Sequence, residues 1–202
     1  MHASKRSLLV LTATGQLNVW YVRPAFFAND RNVHRRTSTL GSISISALLS
    51  AAPSSSSAPA VSVISAQVRP NGVPVIQLST PSAYAYDAAL ASWVQLCDIW
   101  WADGSPLNPR GRSAVASARG PVALIEHSIS EGRGDDGAKR PEWWDTALTL
   151  GHLDTRMSAA VLLDSPVEYK QYLSAYAKKL ADEGFRARGE ELIRDLLGPI
   201  YL

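Results

Sequence analysis

The chain has 202 residues, of which 46% are hydrophobic and 19% are charged, a composition that supports a sizeable core and excludes a fully disordered chain. Its 20 basic and 18 acidic side chains leave a net charge of +2, which provides no broad field for binding nucleic acid and no acidic tract for a strongly basic partner. A single cysteine, Cys97, excludes an internal disulfide and a cysteine-based structural zinc site, and fits a reducing compartment.

The amino-terminal residues predict a soluble, intracellular protein. Lys5 and Arg6 are followed by an apolar run of only residues 8–11, which is too short for a signal peptide or a membrane span. We therefore expect no membrane association.

The first predicted element is a β-hairpin over residues 7–22. Apolar residues alternate on both sides of a turn at 13–16, where Gly15 can supply a positive φ; they are Leu8, Val10, Leu17 and Val19. A strand, a turn of small residues and a second strand ending at Trp20 form the pattern of a WD-type propeller blade.

A strand is predicted at 61–68, and a three-strand meander over 73–96 repeats the blade pattern. A closed propeller needs about four blades, so either the chain is a fragment or another molecule completes the sheet. Residues 43–49 fit a strand or a short helix. Residues 50–60, with four consecutive serines and two prolines, predict a mobile insert.

The middle of the chain is predicted to separate strands from helices. Residues 98–118 are rich in glycine and proline and predict a loop, although Trp100 and Trp101 should pack somewhere. Residues 121–125 predict the last strand, and 129–142 a flexible linker. These bounds define a β-rich region at 1–128 and a helical unit at 143–202.

Three helices are predicted in the helical unit. Ser165 is placed as the N-cap of the central one, with Pro166 at its first position and Glu168 completing a capping box. Gly184 should end this helix in a Schellman motif, with Phe185 folded back on it. Its apolar stripe is Tyr169, Tyr172, Leu173, Tyr176, Ala177 and Leu180. A shorter helix before it carries Leu153, Met157, Ala160 and Val161, and one after it carries Leu192, Ile193, Leu196 and Leu197.

The predicted fold class is therefore α+β, with antiparallel β-hairpins resembling partial WD-type propeller blades, followed by a carboxy-terminal unit of about three helices. The three tyrosines of the central helix could stack on nucleic-acid bases, but an aromatic stripe at helical spacing favours a core position.

A glycine-rich loop, Gly132-x-Gly134-x-x-Gly137, matches a dinucleotide-binding fingerprint in spacing. Asp135 and Asp136 would repel a phosphate, and no βαβ unit surrounds the loop, so chance is the better explanation.

We expect no catalytic, cofactor or metal site in this chain. Its four histidines, His2, His34, His127 and His152, are scattered and have no carboxylate or cysteine at ligand spacing. A structural or surface role is therefore favoured for them, and we predict that the protein is not an enzyme.

Segments in both halves carry a family resemblance. In the second half they are Asp164-Ser165-Pro166-Val167-Glu168-Tyr169, Tyr176-Ala177, Leu180, Asp182-Glu183-Gly184-Phe185 and Arg194-Asp195-Leu196-Leu197-Gly198-Pro199. In the first half they are residues 8–20 and the stretch from Gly72-Val73-Pro74-Val75 to Trp93. From about Ser7 to Gly198 the chain resembles the HIRA family of histone chaperone subunits, interrupted by the insert at 50–60.

The resemblance implies a nuclear, non-enzymatic scaffold in replication-independent nucleosome assembly and transcriptional repression. It implies self-association and binding to a large calcineurin-inhibitor-like subunit, with histones reached indirectly through the complex. The family's amino-terminal propeller and central motif, which recruit other subunits and an anti-silencing histone chaperone, are not in these 202 residues, so we expect those contacts to be missing.

Two other functions are kept as alternatives. The first is a small-molecule or nucleotide-binding enzyme that uses the loop of Gly132, Gly134 and Gly137. The second is direct DNA binding, which would weaken steeply as salt increases and which the balanced charge does not favour.

Trp20 and Tyr21 are the predicted partner-binding residues. A large amphipathic ring at a strand end is a residue type that often contributes most of an interface's binding energy. The family has Trp-Asp at this point, so Tyr21 replaces an acid and cannot pair with a basic group. The alternative, that Trp20 packs in a core between blades, is equally compatible with the sequence.

Overall fold

A computed structural model describes residues 2–3, 7–21, 38–50, 60–80, 82–98, 120–130 and 141–198. The chain divides into two compact units, residues 1–98 and 99–202. The first unit contains the described strands and one short helix, and the second contains the other described helices. This arrangement confirms the α+β prediction.

The first unit holds two four-stranded antiparallel sheets. The first is formed in order by β1 (His2–Ala3), β2 (Ser7–Leu11), β3 (Gln16–Tyr21) and β4 (Ser38–Ser44), and the second by β5 (Val63–Val68), β6 (Pro74–Leu78), β7 (Ser82–Asp87) and β8 (Ser92–Asp98). Helix α1 (Ser46–Ser50) follows β4, so the region left open at 43–49 contains both a strand end and a helix.

The alternation of apolar residues along the strands explains the core that the two sheets of this unit share. In the first hairpin Leu9 pairs with Val19 across the strands, and both side chains point to the same buried face. The core cluster draws on both sheets and α1: Leu9, Leu17, Val19, Ile43, Ile45, Leu48, Val68, Ile76 and Leu78. The indole of Trp93 donates a hydrogen bond to the carbonyl oxygen of Ser44 at 3.0 Å, which joins the second sheet to the end of the first.

The second unit contains α2 (Pro121–Ser130), α3 (Glu142–Leu162), α4 (Pro166–Asp182) and α5 (Arg186–Leu197). Residues 121–125 were predicted to be a strand, and this prediction is wrong because they begin α2. An apolar run of five residues does not distinguish a strand from a buried helix segment, and Pro121 at the first helical position favours the helix.

The three helices predicted after residue 143 are confirmed as α3, α4 and α5. Gly184, with φ +72°, ends α4 in the predicted Schellman motif, because the backbone N–H of Phe185 donates to the carbonyl of Leu180 at 2.9 Å. Helix α3 is longer than expected, and Val161, assigned to its apolar face, is 65% exposed.

Helices α3 and α4 form an antiparallel hairpin, since Thr146 near the start of α3 donates a hydrogen bond to Glu183 just after the end of α4, at 3.0 Å. Its buried apolar and tyrosine side chains are Leu148, Leu153, Met157, Ala159, Ala160, Leu163, Tyr172, Tyr176 and Leu180. The core position predicted for the tyrosine stripe is thus confirmed at Tyr172 and Tyr176.

Several predicted segments lie mainly or wholly outside the described residues, namely the insert at 50–60, the loop at 98–118 and the linker at 129–142. The boundaries of the β-rich region, the linker and the helical unit, which were based on these segments, therefore stay predictions. Within the described residues, no helix has the length and apolar character needed to cross a membrane.

Candidate interaction sites

Trp20 and Tyr21 lie at the end of β3. Trp20 stands opposite Leu8 on β2 and Thr39 on β4. Its side chain points to the other face of the sheet from that of Val19, which is fully buried, and it is itself partly buried. Its position at the strand end agrees with the sequence, and its role in an interface stays a prediction.

The ring of Tyr21 packs against the turn that precedes β6. A Cβ added at Gly72 would overlap the Tyr21 hydroxyl, and Gly72 has φ +89°. Tyr21 therefore also contributes to packing between the two sheets of its own unit, a role that the sequence did not suggest.

A buried carboxylate on α2 connects that helix to α3. Glu126 is 3% exposed; its Oε1 lies 2.6 Å from Nε2 of His152 and accepts a hydrogen bond from Nε of Arg156 at 2.8 Å. A second Arg156 nitrogen donates to Oε2. Burial alone would raise the pKa of Glu126, but the hydrogen bonds from His152 and Arg156, together with the positive charge of Arg156, hold it below the usual value.

The ionised state of Glu126 fixes the tautomer of His152. A carboxylate only accepts hydrogen bonds, so Nε2 of His152 carries the proton that it shares with Glu126. The other ring nitrogen, Nδ1, is buried and has no hydrogen-bond partner among the described residues. His152 therefore connects α3 to α2 through a carboxylate that lies 26 residues away in the sequence.

A second buried carboxylate caps α2 from α4. Glu168 is 5% exposed and accepts hydrogen bonds from the backbone N–H groups of Val122 and Ala123, at 3.2 and 3.1 Å. These groups belong to the first turn of α2, which lacks partners within that helix. A Cβ at Gly120 would overlap the Glu168 carboxyl group, so this approach requires a glycine.

The predicted capping box is only partly correct. Helix α4 begins at Pro166 as expected, but Ser165 makes no side-chain cap bond to it. The Ser165 hydroxyl instead donates a hydrogen bond to the Glu168 carboxyl group at 2.8 Å.

Tyr172 connects the two carboxylates. Its hydroxyl donates to Glu168 at 3.2 Å, and the guanidinium of Arg156 lies 5.2 Å from the centre of its ring, within the range of a cation–π contact. Burial raises the pKa of Tyr172 well above its ordinary value. We call Glu126, His152, Arg156, Tyr172 and Glu168 the carboxylate network.

The carboxylate network holds α2, α3 and α4 together. Both carboxylates are engaged by several donors, and the described residues contain no group of three metal-ligand side chains placed to hold an ion. The glycine-rich loop at 132–137 and His34 lie outside the described part of the chain.

Helix α5 carries an exposed apolar face. No described side chain of α5 is buried. Ile193, Leu196 and Leu197 are 57%, 52% and 73% exposed and share one side of the helix by their spacing. Arg186 pairs with Glu190 on the same helix at 2.9 Å.

Comparison with known proteins identifies the family. The family model described as Hira: TUP1-like enhancer of split matches residues 1–196. Protein HIR1 of Mycosarcoma maydis is 32% identical over 222 residues, which cover 96% of this chain and 20% of the relative. Protein HIRA of Homo sapiens is 28% identical over 209 residues, which cover 100% of this chain and 18% of the relative.

The fold agrees with the same relatives. The crystal structure of HIRA(644–1017) has 27% sequence identity and a TM-score of 0.70, and the match covers 99% of this chain and 56% of that one. The chain spans no more than about a fifth of the length of HIR1 and HIRA. The family model, the relatives and the shared fold together place this chain in the Hira family, as the sequence segments in both halves had indicated.

Proposed function

We propose that this chain is the non-enzymatic scaffold and self-association region of a subunit of a Hira-type histone chaperone complex. It acts in the nucleus, in replication-independent nucleosome assembly and transcriptional repression. The observation that carries the proposal is the match of the Hira family model to residues 1–196.

The character of the described surfaces supports a scaffold. The carboxylate network of the second unit is largely buried and holds helices together, whereas large apolar side chains are exposed at Trp143 and on α5. Exposed apolar groups of this size are typical of protein–protein contacts.

The partners of this region are other subunits of the complex, including the large calcineurin-inhibitor-like one, and a further copy of the chain. Histones are reached indirectly, because the sequence has no acidic tract for a strongly basic partner. We place the self-association contact at Trp20 and Tyr21, where an aromatic pair ends a strand.

The mass of the protein in solution tests the contact. We expect an oligomer in light scattering, and Trp20→Ala should give a folded chain of lower mass. Trp93→Ala is the matched control: that indole packs on the core cluster and donates to Ser44, so its loss should lower the melting temperature and leave the mass unchanged.

Two results would contradict this assignment. A wild-type chain that stays monomeric at all accessible concentrations refutes self-association. A Trp20→Ala variant that keeps its mass and loses about 3–5 kcal/mol of stability, as expected for a core indole, places Trp20 in the core instead. Recovery of a tagged chain from nuclei without any other subunit of a Hira-type complex would contradict the scaffold role.

A further inference from the structure

The contact between α2 and the helical hairpin is mainly polar where the structure describes its side chains. Glu126 of α2 binds His152 and Arg156 of α3, and Glu168 of α4 binds the first turn of α2. Among residues 121–126, Val122 is the one apolar side chain that is fully buried, at 2% exposure.

The side chains of α3 and α4 that form hydrogen bonds to α2 are ones that water solvates well. If α2 moved away, the carboxylate of Glu168, the guanidinium of Arg156 and the imidazole of His152 would gain hydration in place of their lost contacts. Separating α3 from α4 is different, because it would expose apolar side chains such as Leu153 and Leu180, which are 1% and 3% exposed.

We propose that α2 is a latch, a helix that detaches from α3 and α4 as one unit while the α3–α4 hairpin stays folded. Its position is specified by two carboxylates at separate points, Glu168 at its first turn and Glu126 farther along. The latch therefore closes in a single register and opens onto a hydrated, charged surface.

Amide hydrogen exchange of the whole chain at neutral pH tests the latch. With low concentrations of denaturant, backbone amides at 125–130 should exchange at least tenfold faster than those at 153–160 and 172–180. Their exchange should also depend only weakly on denaturant, since a local opening exposes little surface. Equal exchange rates and equal denaturant dependence for the three helices would overturn the proposal.

A charge-neutral variant provides the second test. Glu126→Gln leaves Arg156 buried without its anionic partner, a strain that detachment of α2 relieves. Exchange in α2 should rise at least tenfold while exchange in α3 and α4 stays within twofold of wild type. Glu190→Gln removes the exposed ion pair with Arg186 and is the control. It should change neither the exchange in α2 nor that in α3 and α4.

An equal increase of exchange in α2, α3 and α4 of Glu126→Gln would show that α2 is an inseparable part of the unit, and would overturn the latch. If this variant does not fold, the wild-type exchange pattern decides the question alone.

Discussion

Gly72 lies directly against the hydroxyl of Tyr21, so closely that a Cβ at this glycine would overlap the tyrosine ring. The contact joins the end of β3, in the first sheet, to the turn that leads into β6, in the second. Residue 72 must therefore lack a side chain, and it must also adopt a positive φ, which is +89° here.

Gly72→Ala should therefore destabilise the β-rich unit by about 2–4 kcal/mol, since it adds backbone strain to a steric clash. Urea unfolding measures the change. Gly41→Ala is the matched control, because no atom lies within 4 Å of its Cβ position. In the double variant Gly72→Ala/Tyr21→Ala, the part of the lost stability that is due to the clash should be restored. If the losses of unfolding free energy in the two single variants simply add, the contact is contradicted.

Stability of the helical unit should depend on the ionisation of Glu126. Its folded pKa lies below the ordinary value of 4.5, so its contribution is complete above that value and is lost as the pH falls through the lower folded pKa. The difference in unfolding free energy between wild type and Glu126→Gln should shrink as the pH falls below about 4.5. A difference that grows on acidification would contradict the direction of the shift.

Glu168→Gln should weaken the cap on α2. The amide keeps the shape of the side chain but has one acceptor oxygen in place of the two that receive the N–H groups of Val122 and Ala123. We expect a loss of about 1–2 kcal/mol in thermal or urea unfolding. An unchanged stability would mean that water replaces the carboxylate at the helix terminus.

Ser165→Ala should cost about 1 kcal/mol, because it removes a donor to the buried Glu168 carboxylate. Ser174→Ala is the control, since that exposed hydroxyl only donates back to the carbonyl of Lys170, and its effect should be much smaller. Self-association should survive in both variants. If Ser165→Ala leaves unfolding unchanged and abolishes oligomerisation, Ser165 is a partner contact.

No binding of ATP or NAD is expected at micromolar concentrations, because the acidic residues of the loop at 132–137 disfavour a phosphate. Isothermal titration checks this expectation. Micromolar affinity that disappears in Gly134→Ala would support the enzyme alternative and contradict the scaffold proposal.

Local signals made much of the fold predictable. The hairpin at β2 and β3 follows from alternation around a turn that contains Gly15, whose φ is +77°. The end of α4 follows from Gly184, and its start from Pro166. In each case the residues that define the structure lie within a few positions of one another.

Contacts between distant residues explain what the sequence did not reveal. Helix α2 is capped by Glu168, which lies 46 residues after Val122. No pattern in the sequence near α2 predicts a partner at that distance. His152 and Arg156 are one helical turn apart on α3, so a shared face could have been inferred. Their carboxylate, Glu126, lies on a segment whose apolar run suggested a strand.

The distant cap also delays the capping of α2 while the chain is being synthesised. The first turn of α2 leaves the ribosome 46 residues before Glu168, a delay of roughly 2–9 s at translation rates of about 5–20 residues per second. A ten-residue helix is only marginally stable alone. During translation we therefore expect α2 to remain without its cap until Glu168 has been synthesised and α4 has formed.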